Sequence, residues 1–137
     1  GFTLVELIAV IIILGILSVV VIPRFIDRGN VTPGAAQAQV IAAARHAQQL
    51  AMNNGGTVLF TTDNSNKRVT IIHGGSGSPV TFDLPGDITI TAANISYDSL
   101  GDAHDGSGPL SGPLTLNITN GITRKVCIET TGYAHDC

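Results

Sequence analysis

Read from its amino end, the chain is apolar almost without a break from Phe2 to Ile26, and one carboxylate, Glu6, interrupts the start of that run. From Leu7 to Pro23 there is no ionisable group, and a helix needs about twenty residues at about 1.5 Å each to cross a hydrocarbon core. The segment is a candidate membrane helix. An acid at membrane depth costs on the order of 2.5 to 3.5 kcal/mol on insertion scales, so Glu6 needs a partner. A secretory signal peptide would show basic residues ahead of the apolar stretch and a small-residue cleavage site behind it, and neither pattern is present. A plain anchor would leave Glu6 without a purpose.

Beyond this run the pattern becomes amphipathic. Gly29-Asn30-Val31-Thr32-Pro33-Gly34 combines a helix-stop glycine, a candidate N-cap at Thr32 and a proline suited to the first helical position. One helix should end near Gly29 and another begin near Thr32. Over 32–54 the small apolar residues Val40, Ala43, Ala44, Ala47, Leu50 and Ala51 recur near helical spacing, and Asn53-Asn54-Gly55-Gly56 closes the segment.

From Thr57 the period shortens to two residues, which predicts strands. Thr57–Thr62 and Arg68–His73, joined through Asp63–Lys67, read as a hairpin. Pro79–Leu84 and Asp87–Ala92, separated by Pro85-Gly86, read as a second pair. Leu114–Thr119 and Thr123–Glu129 flank Asn120-Gly121, the strongest two-residue hairpin signal. Leu114, Leu116 and Ile118 should face the core, with Arg124, Val126 and Ile128 on one face of the return strand. The expected fold class is α+β: a long N-terminal hydrophobic helix, bent or interrupted near 29–34, with its C-terminal half packed on an antiparallel sheet over 57–129. The corresponding domains are a hydrophobic helix over 1–28 and a globular head over 29–137, ending in a tail over 127–137.

Composition narrows the function classes. The 44% hydrophobic content and the mean hydropathy of +0.34 average two unlike regions. A net charge of −3 with seven Lys plus Arg leaves no basic footprint for nucleic acid. Cys127 and Cys137 are the only cysteines, and in an exported chain an even count at this spacing predicts a disulfide. Alternation sets Cys127 opposite Val126 and Ile128, so the bridge should pin the tail across the outer side of the sheet. His46, His73, His104 and His135 fall in no ligand or catalytic pattern, and neither enzyme activity nor a cofactor is expected. Asp98, Asp102 and Asp105 are weak calcium candidates, because a hard cation takes several oxygen ligands from a flexible loop. Their spacing is not that of an EF-hand, and turn chemistry explains the same residues. Gly74–Pro79 lacks the Lys-Ser/Thr of a phosphate cradle and reads as an exposed turn.

Gly1-Phe2-Thr3-Leu4-Val5-Glu6, followed by an apolar helix carrying Gly15 and ending at Pro23, resembles the class III signal and N-terminal helix of type IV pilins and pseudopilins. The likeness covers about a fifth of the chain. It implies cutting by a prepilin peptidase between Gly1 and Phe2, N-methylation of Phe2, and pairing of Glu6 with the Phe2 ammonium of a neighbouring subunit. Physically, an acid and an amine that are each costly in a low-dielectric bundle can satisfy one another. A processed family member begins at Phe2, so Gly1 is either the last leader residue or a sign that processing is not represented. Arg24 and Arg28 at the far end of the span favour the opposite orientation on the positive-inside rule alone, which predicts a short leader rich in Lys or Arg. Family members usually run one long helix through this region, so Pro33-Gly34 is a departure that marks either a hinge or a small bend.

Three shorter stretches are similar to the minor-pilin and pseudopilin group that includes FimT, GspH and the mannose-sensitive haemagglutinin pilins. They are Ala44-Arg45-His46-Ala47-Gln48-Gln49-Leu50-Ala51, Tyr97-Asp98-Ser99-Leu100-Gly101 and Cys127-Ile128-Glu129-Thr130-Thr131-Gly132-Tyr133. The C-terminal cysteine loop resembles a disulfide-bounded region that many type IV pilins use for subunit contacts or adhesion. The resemblance implies a structural subunit of a type IV pilus, polymerising through its N-terminal helix with identical or related pilin subunits. Its implied partners are the bacterial inner membrane before assembly, with the head in the periplasm, then the prepilin peptidase and the assembly platform, and its final place is an extracellular pilus. Gly15 and Pro23 bound a stretch able to lose helical hydrogen bonding. A minor pilin or a pseudopilin of a type II secretion-like fibre is the alternative. A DNA-uptake pilin is a third reading, with Lys67-Arg68 and Arg124-Lys125 as its basic pairs.

Overall fold

The apolar run forms a first helix, α1, over Leu4–Ile26. This computed structural model describes the backbone of residues 1–26, 32–74 and 77–137, and the side chains of the same residues apart from 17–26. The chain divides into two compact units, Gly1–Asn30 and Val31–Cys137.

In the first unit, Thr3 starts the helix. Its Oγ1 accepts the Glu6 backbone N–H at 3.3 Å and its carbonyl accepts from Glu6 and Leu7, which satisfies amides that a helix N-terminus leaves without intrahelical partners. The helix continues through Gly15 and Pro23, and every described side chain from Leu4 to Ile16 is exposed. Among the described residues no helix is long and apolar enough to cross a membrane. The side chains of α1 beyond Ile16 are outside the described residues. The predicted helix end near Gly29, and Asn30 and Val31 of the predicted bend, lie outside the described residues.

The second unit opens with α2, Pro33–Asn54. Thr32 has the extended backbone of an N-cap, φ −63 and ψ 146, without a side-chain cap bond, and Pro33 and Gly34 lie in the first turn. At the other end Gly55 takes a left-handed conformation and its N–H bonds the Ala51 carbonyl at 3.0 Å. The buried face is Ala36, Val40, Ala43, Ala44, Ala47 and Ala51, with Leu50 half-buried. Alanine carries almost no side-chain bulk, so strands can approach the helix closely.

The strands are β1 Val58–Asp63, β2 Arg68–His73, β3 Val80–Asp83, β4 Thr89–Ile90, β5 Ala93–Tyr97, β6 Ala103–Asp105, β7 Gly108–Pro109, β8 Leu114–Asn120, β9 Ile122–Ile128 and β10 Ala134–Asp136. They form two antiparallel sheets, one ordered β3-β2-β1-β5-β6-β7 and the other β10-β9-β8-β4. Helix α2 packs on β1, β2 and β5 of the first and on β8, β9 and β10 of the second. The core lies between them, with Val58, Phe60, Val69, Ile71, Ile95 and Tyr97 from one sheet and Leu116, Ile118, Val126 and Ile128 from the other.

Three features differ from the sequence reading. First, the strands split into two sheets, because β3 pairs only with β2 while β4 crosses to β8. The predicted hairpin at Pro85-Gly86 is replaced by a turn in which the Ile88 N–H bonds the Pro85 carbonyl, and Leu84, Ile88 and Ile90 all enter the core. The Asn120 amide donates to Asp87 and the Thr89 hydroxyl to the Thr119 carbonyl, tying the segment to β8. Second, the β8–β9 pairing runs on to Asn120 opposite Ile122 and leaves Gly121, at φ 69, between the strands, in place of the two-residue turn anticipated at Asn120-Gly121. Third, Cys127 and Cys137 are bridged, but the tail does not lie across the sheet. It adds β10 to the edge of β9, with His135 opposite Cys127, because backbone pairing satisfies polar groups that a crossing tail would leave open.

Candidate functional site

Two places gather the residues singled out by the sequence. At the start of α1, Gly1, Phe2 and Glu6 line one shallow concavity. Phe2 is 84% exposed. Glu6 sits in the first turn, where the partial positive charge of a helix N-terminus favours a carboxylate, and it makes no ion pair among the described residues. Gly15 and Pro23 lie within α1, and Pro33 and Gly34 begin α2.

The other place is in the head, where the three short stretches of resemblance meet although they lie far apart in sequence. On α2, the Gln48 amide donates to the Gly101 carbonyl at 3.1 Å and to the Thr131 carbonyl at 2.8 Å. One turn earlier, Arg45 donates through Nε to the Ala134 carbonyl at 2.8 Å and through a terminal nitrogen to the Tyr133 hydroxyl at 3.1 Å. Its guanidinium also lies 4.9 Å from the centre of the Tyr133 ring, and that ring stacks on His135 at 5.7 Å. The Ala103 N–H bonds the Thr130 carbonyl at 3.0 Å, joining the loop after β5 to the loop after β9.

Each loop is also closed by a carboxylate and a histidine six residues further on. Asp98 Oδ2 is 3.0 Å from His104 Nε2, and Glu129 Oε1 is 2.9 Å from His135 Nε2. Asp98 Oδ1 accepts the N–H groups of Leu100 and Asp102. Desolvation pushes its pKa up, but the bonds from His104, Asp102 and Leu100 outweigh that and hold the carboxyl below its ordinary value.

Asp105 Oδ1 likewise accepts from Ser107 and Gly108 in its own turn. Asp98 and Asp105 thus serve turns, and with Asp102 they do not form a calcium cage. Among the described residues no three His, Cys, Asp or Glu side chains gather to hold a metal. Asp98, Asp102 and His104 instead line, with Thr130 and Thr131, a cleft of about 370 Å³. His46 is exposed on α2, and His73 on β2 has a buried Nε2 without a hydrogen-bond partner among the described residues. Arg45, Tyr133 and His135 form a junction that the sequence pattern does not reveal. Its local signs are Gly101 and Gly132, both at positive φ.

Solved structures share this architecture. One is the type IV minor pilin FimU of Pseudomonas aeruginosa, at 17% identity and a TM-score of 0.60, covering 76% of this chain and 91% of that one. A second crystal form of FimU gives 18% identity, a TM-score of 0.61, and coverage of 76% and 87%. Another is the minor pseudopilin EpsH from the type 2 secretion system of Vibrio cholerae, at 13% identity and a TM-score of 0.57, covering 74% and 93%. No protein-family model and no curated protein sequence matches the chain. The chain has the α+β fold of these minor pilins and pseudopilins, as the resemblance implied.

Proposed function

We propose that this chain is a structural subunit of a pilin-type fibre, assembled through α1. The observation that carries the reading is the combination in one chain of a pilin-fold head and an apolar helix headed by Phe2-Thr3-Leu4-Val5-Glu6. Before assembly, the apolar segment sits in the inner membrane with the head in the periplasm. In the fibre, the same segments of neighbouring subunits replace lipid, and Glu6 of one subunit answers the Phe2 ammonium of another. A prepilin peptidase exposes that amine by cutting after Gly1, and an assembly platform extracts the subunit. The exposed apolar side chains of α1 and the absence of an ion pair at Glu6 among the described residues both suit this role. No catalytic chemistry is assigned.

The test is Glu6→Ala in the native host. The expected outcome is loss of fibres by electron microscopy of sheared material while membrane fractions retain the subunit, and normal fibres from the variant would overturn the assembly role. Mass spectrometry of the fibre subunit should find N-methylated Phe2 as its first residue.

A role as a minor pilin or pseudopilin is the second reading, and the likeness to FimU and EpsH favours it over a major-subunit role. Quantitative proteomics of purified fibres separates the two. A few copies per fibre identify a minor subunit, and a dominant band identifies the major one.

A further inference from the structure

We propose that His135 is a proton-operated latch on the C-terminal strand: as an imidazolium it bridges Glu129 to the Asp136 backbone, and losing its proton opens one end of that bridge and loosens β10. His135 Nε2 lies 2.9 Å from Glu129 Oε1 and its Nδ1 lies 2.8 Å from the Asp136 carbonyl oxygen. A carbonyl oxygen and an ionised carboxylate can only accept. A neutral imidazole carries one N–H, so only the imidazolium fills both contacts. His104 is different, because one ring nitrogen engages Asp98 and a neutral tautomer satisfies that contact.

The charged surroundings act in the same direction. Glu129 at the end of β9 and Asp136 on β10 favour the proton. Arg45 reaches in from α2 to Ala134 and Tyr133, and Lys125 lies on β9 two residues before Cys127; it is desolvation that opposes the proton. The balance lies with the acids: the hydrogen bond to Glu129, then that to the Asp136 backbone, hold the His135 pKa above 6.5. A histidine with a raised value contributes fully below its unfolded value and loses that contribution as pH rises through the folded one. The latch is therefore closed in mild acid and opens on the alkaline side.

The strand is one that a single contact can hold. It pairs with β9 at three positions, and at its other edge Arg45 bonds the Ala134 carbonyl. So short a strand is marginal alone. The disulfide keeps Cys137 at Cys127 and Ala134 stays in the core, so opening loosens, without releasing, the span from Tyr133 to Asp136, which carries the half-exposed Tyr133 ring.

The test is a titration of the full chain in detergent micelles by NMR, reading the His135 ring nitrogens together with the backbone heteronuclear NOE of residues 133–136, with the disulfide verified by mass spectrometry. Both ring nitrogens should be protonated at about pH 6, the midpoint should lie above 6.5, and the NOE should fall in step with it. Glu129→Gln should lower the proton affinity several-fold and carry the tail transition with it, while His135→Gln should make the tail independent of pH. A midpoint at or below 6.5, or an NOE unchanged across the midpoint, overturns the latch. If either variant loses the fold, the wild-type titration decides alone.

Discussion

Gly132 presses its backbone against the carbonyl of Gly101: a β-carbon at position 132 would lie 2.0 Å from that oxygen. The two glycines are where the loop after β5 and the loop after β9 touch, and both sit at positive φ, 90 at Gly101 and 79 at Gly132. Gly132→Ala should therefore meet both a left-handed penalty of about 1 to 3 kcal/mol and a backbone clash. We expect a loss of at least about 2 kcal/mol in urea unfolding of the full chain in micelles. Gly86→Ala, where a β-carbon meets open space, is the matched control and should change little.

Gln48 is the side chain that spans the same seam. Gln48→Leu keeps the size and removes the donor to the Gly101 and Thr131 carbonyls. The expected cost is about 1 to 3 kcal/mol, with faster amide exchange in both loops and unchanged exchange in the β1–β2 hairpin.

Tyr97 is fully buried, and its hydroxyl has no hydrogen-bond partner among the described residues. Burial pushes its pKa up, because the phenolate would be desolvated. Tyr97→Phe removes a desolvated hydroxyl and leaves the packing in place. It should leave stability unchanged or raise it by about 1 kcal/mol in the same urea unfolding assay.

The Cys127–Cys137 bridge closes a sequence separation of ten residues. Replacing both cysteines with serine should cost about 2 to 3 kcal/mol on the loop-closure account. Because β10 also pairs with β9 and Ala134 lies in the core, the tail should remain partly ordered without the bridge, as amide exchange of Cys137→Ser/Cys127→Ser protein would show.

The elements that the sequence pattern predicts well are those set by local contacts. The stripe from Val40 to Ala51 sets the buried face of α2, Gly55 ends it, and the β1–β2 and β8–β9 hairpins form between neighbours in sequence. The pairing of β4 with β8 depends on residues 30 apart, Thr89 and Thr119, and no local period signals it. Strands β6, β7 and β10 are two or three residues long, too short for alternation to register. In the site, Glu6 is visible because an acid in an apolar run is physically anomalous. The Arg45–Tyr133 contact joins positions 88 apart, and neither residue is unusual where it stands. The aspartates of the loop after β5 look like ligands by type, yet Asp98 and Asp105 are held by neighbouring backbone amides.

The crossing of β4 between the sheets has a consequence for the order in which the head can be completed. A chain emerging from its amino end can pair β1, β2, β3 and β5 as soon as Tyr97 is out. Ile90 must wait for Ile118, its partner on β8, so a core-forming isoleucine stays unpaired until the twenty-eighth position after it is delivered, 118 minus 90. Until then the second sheet cannot close on the core that it shares with the first. A chain held short of residue 118 keeps that apolar seam open until the C-terminal hairpin arrives.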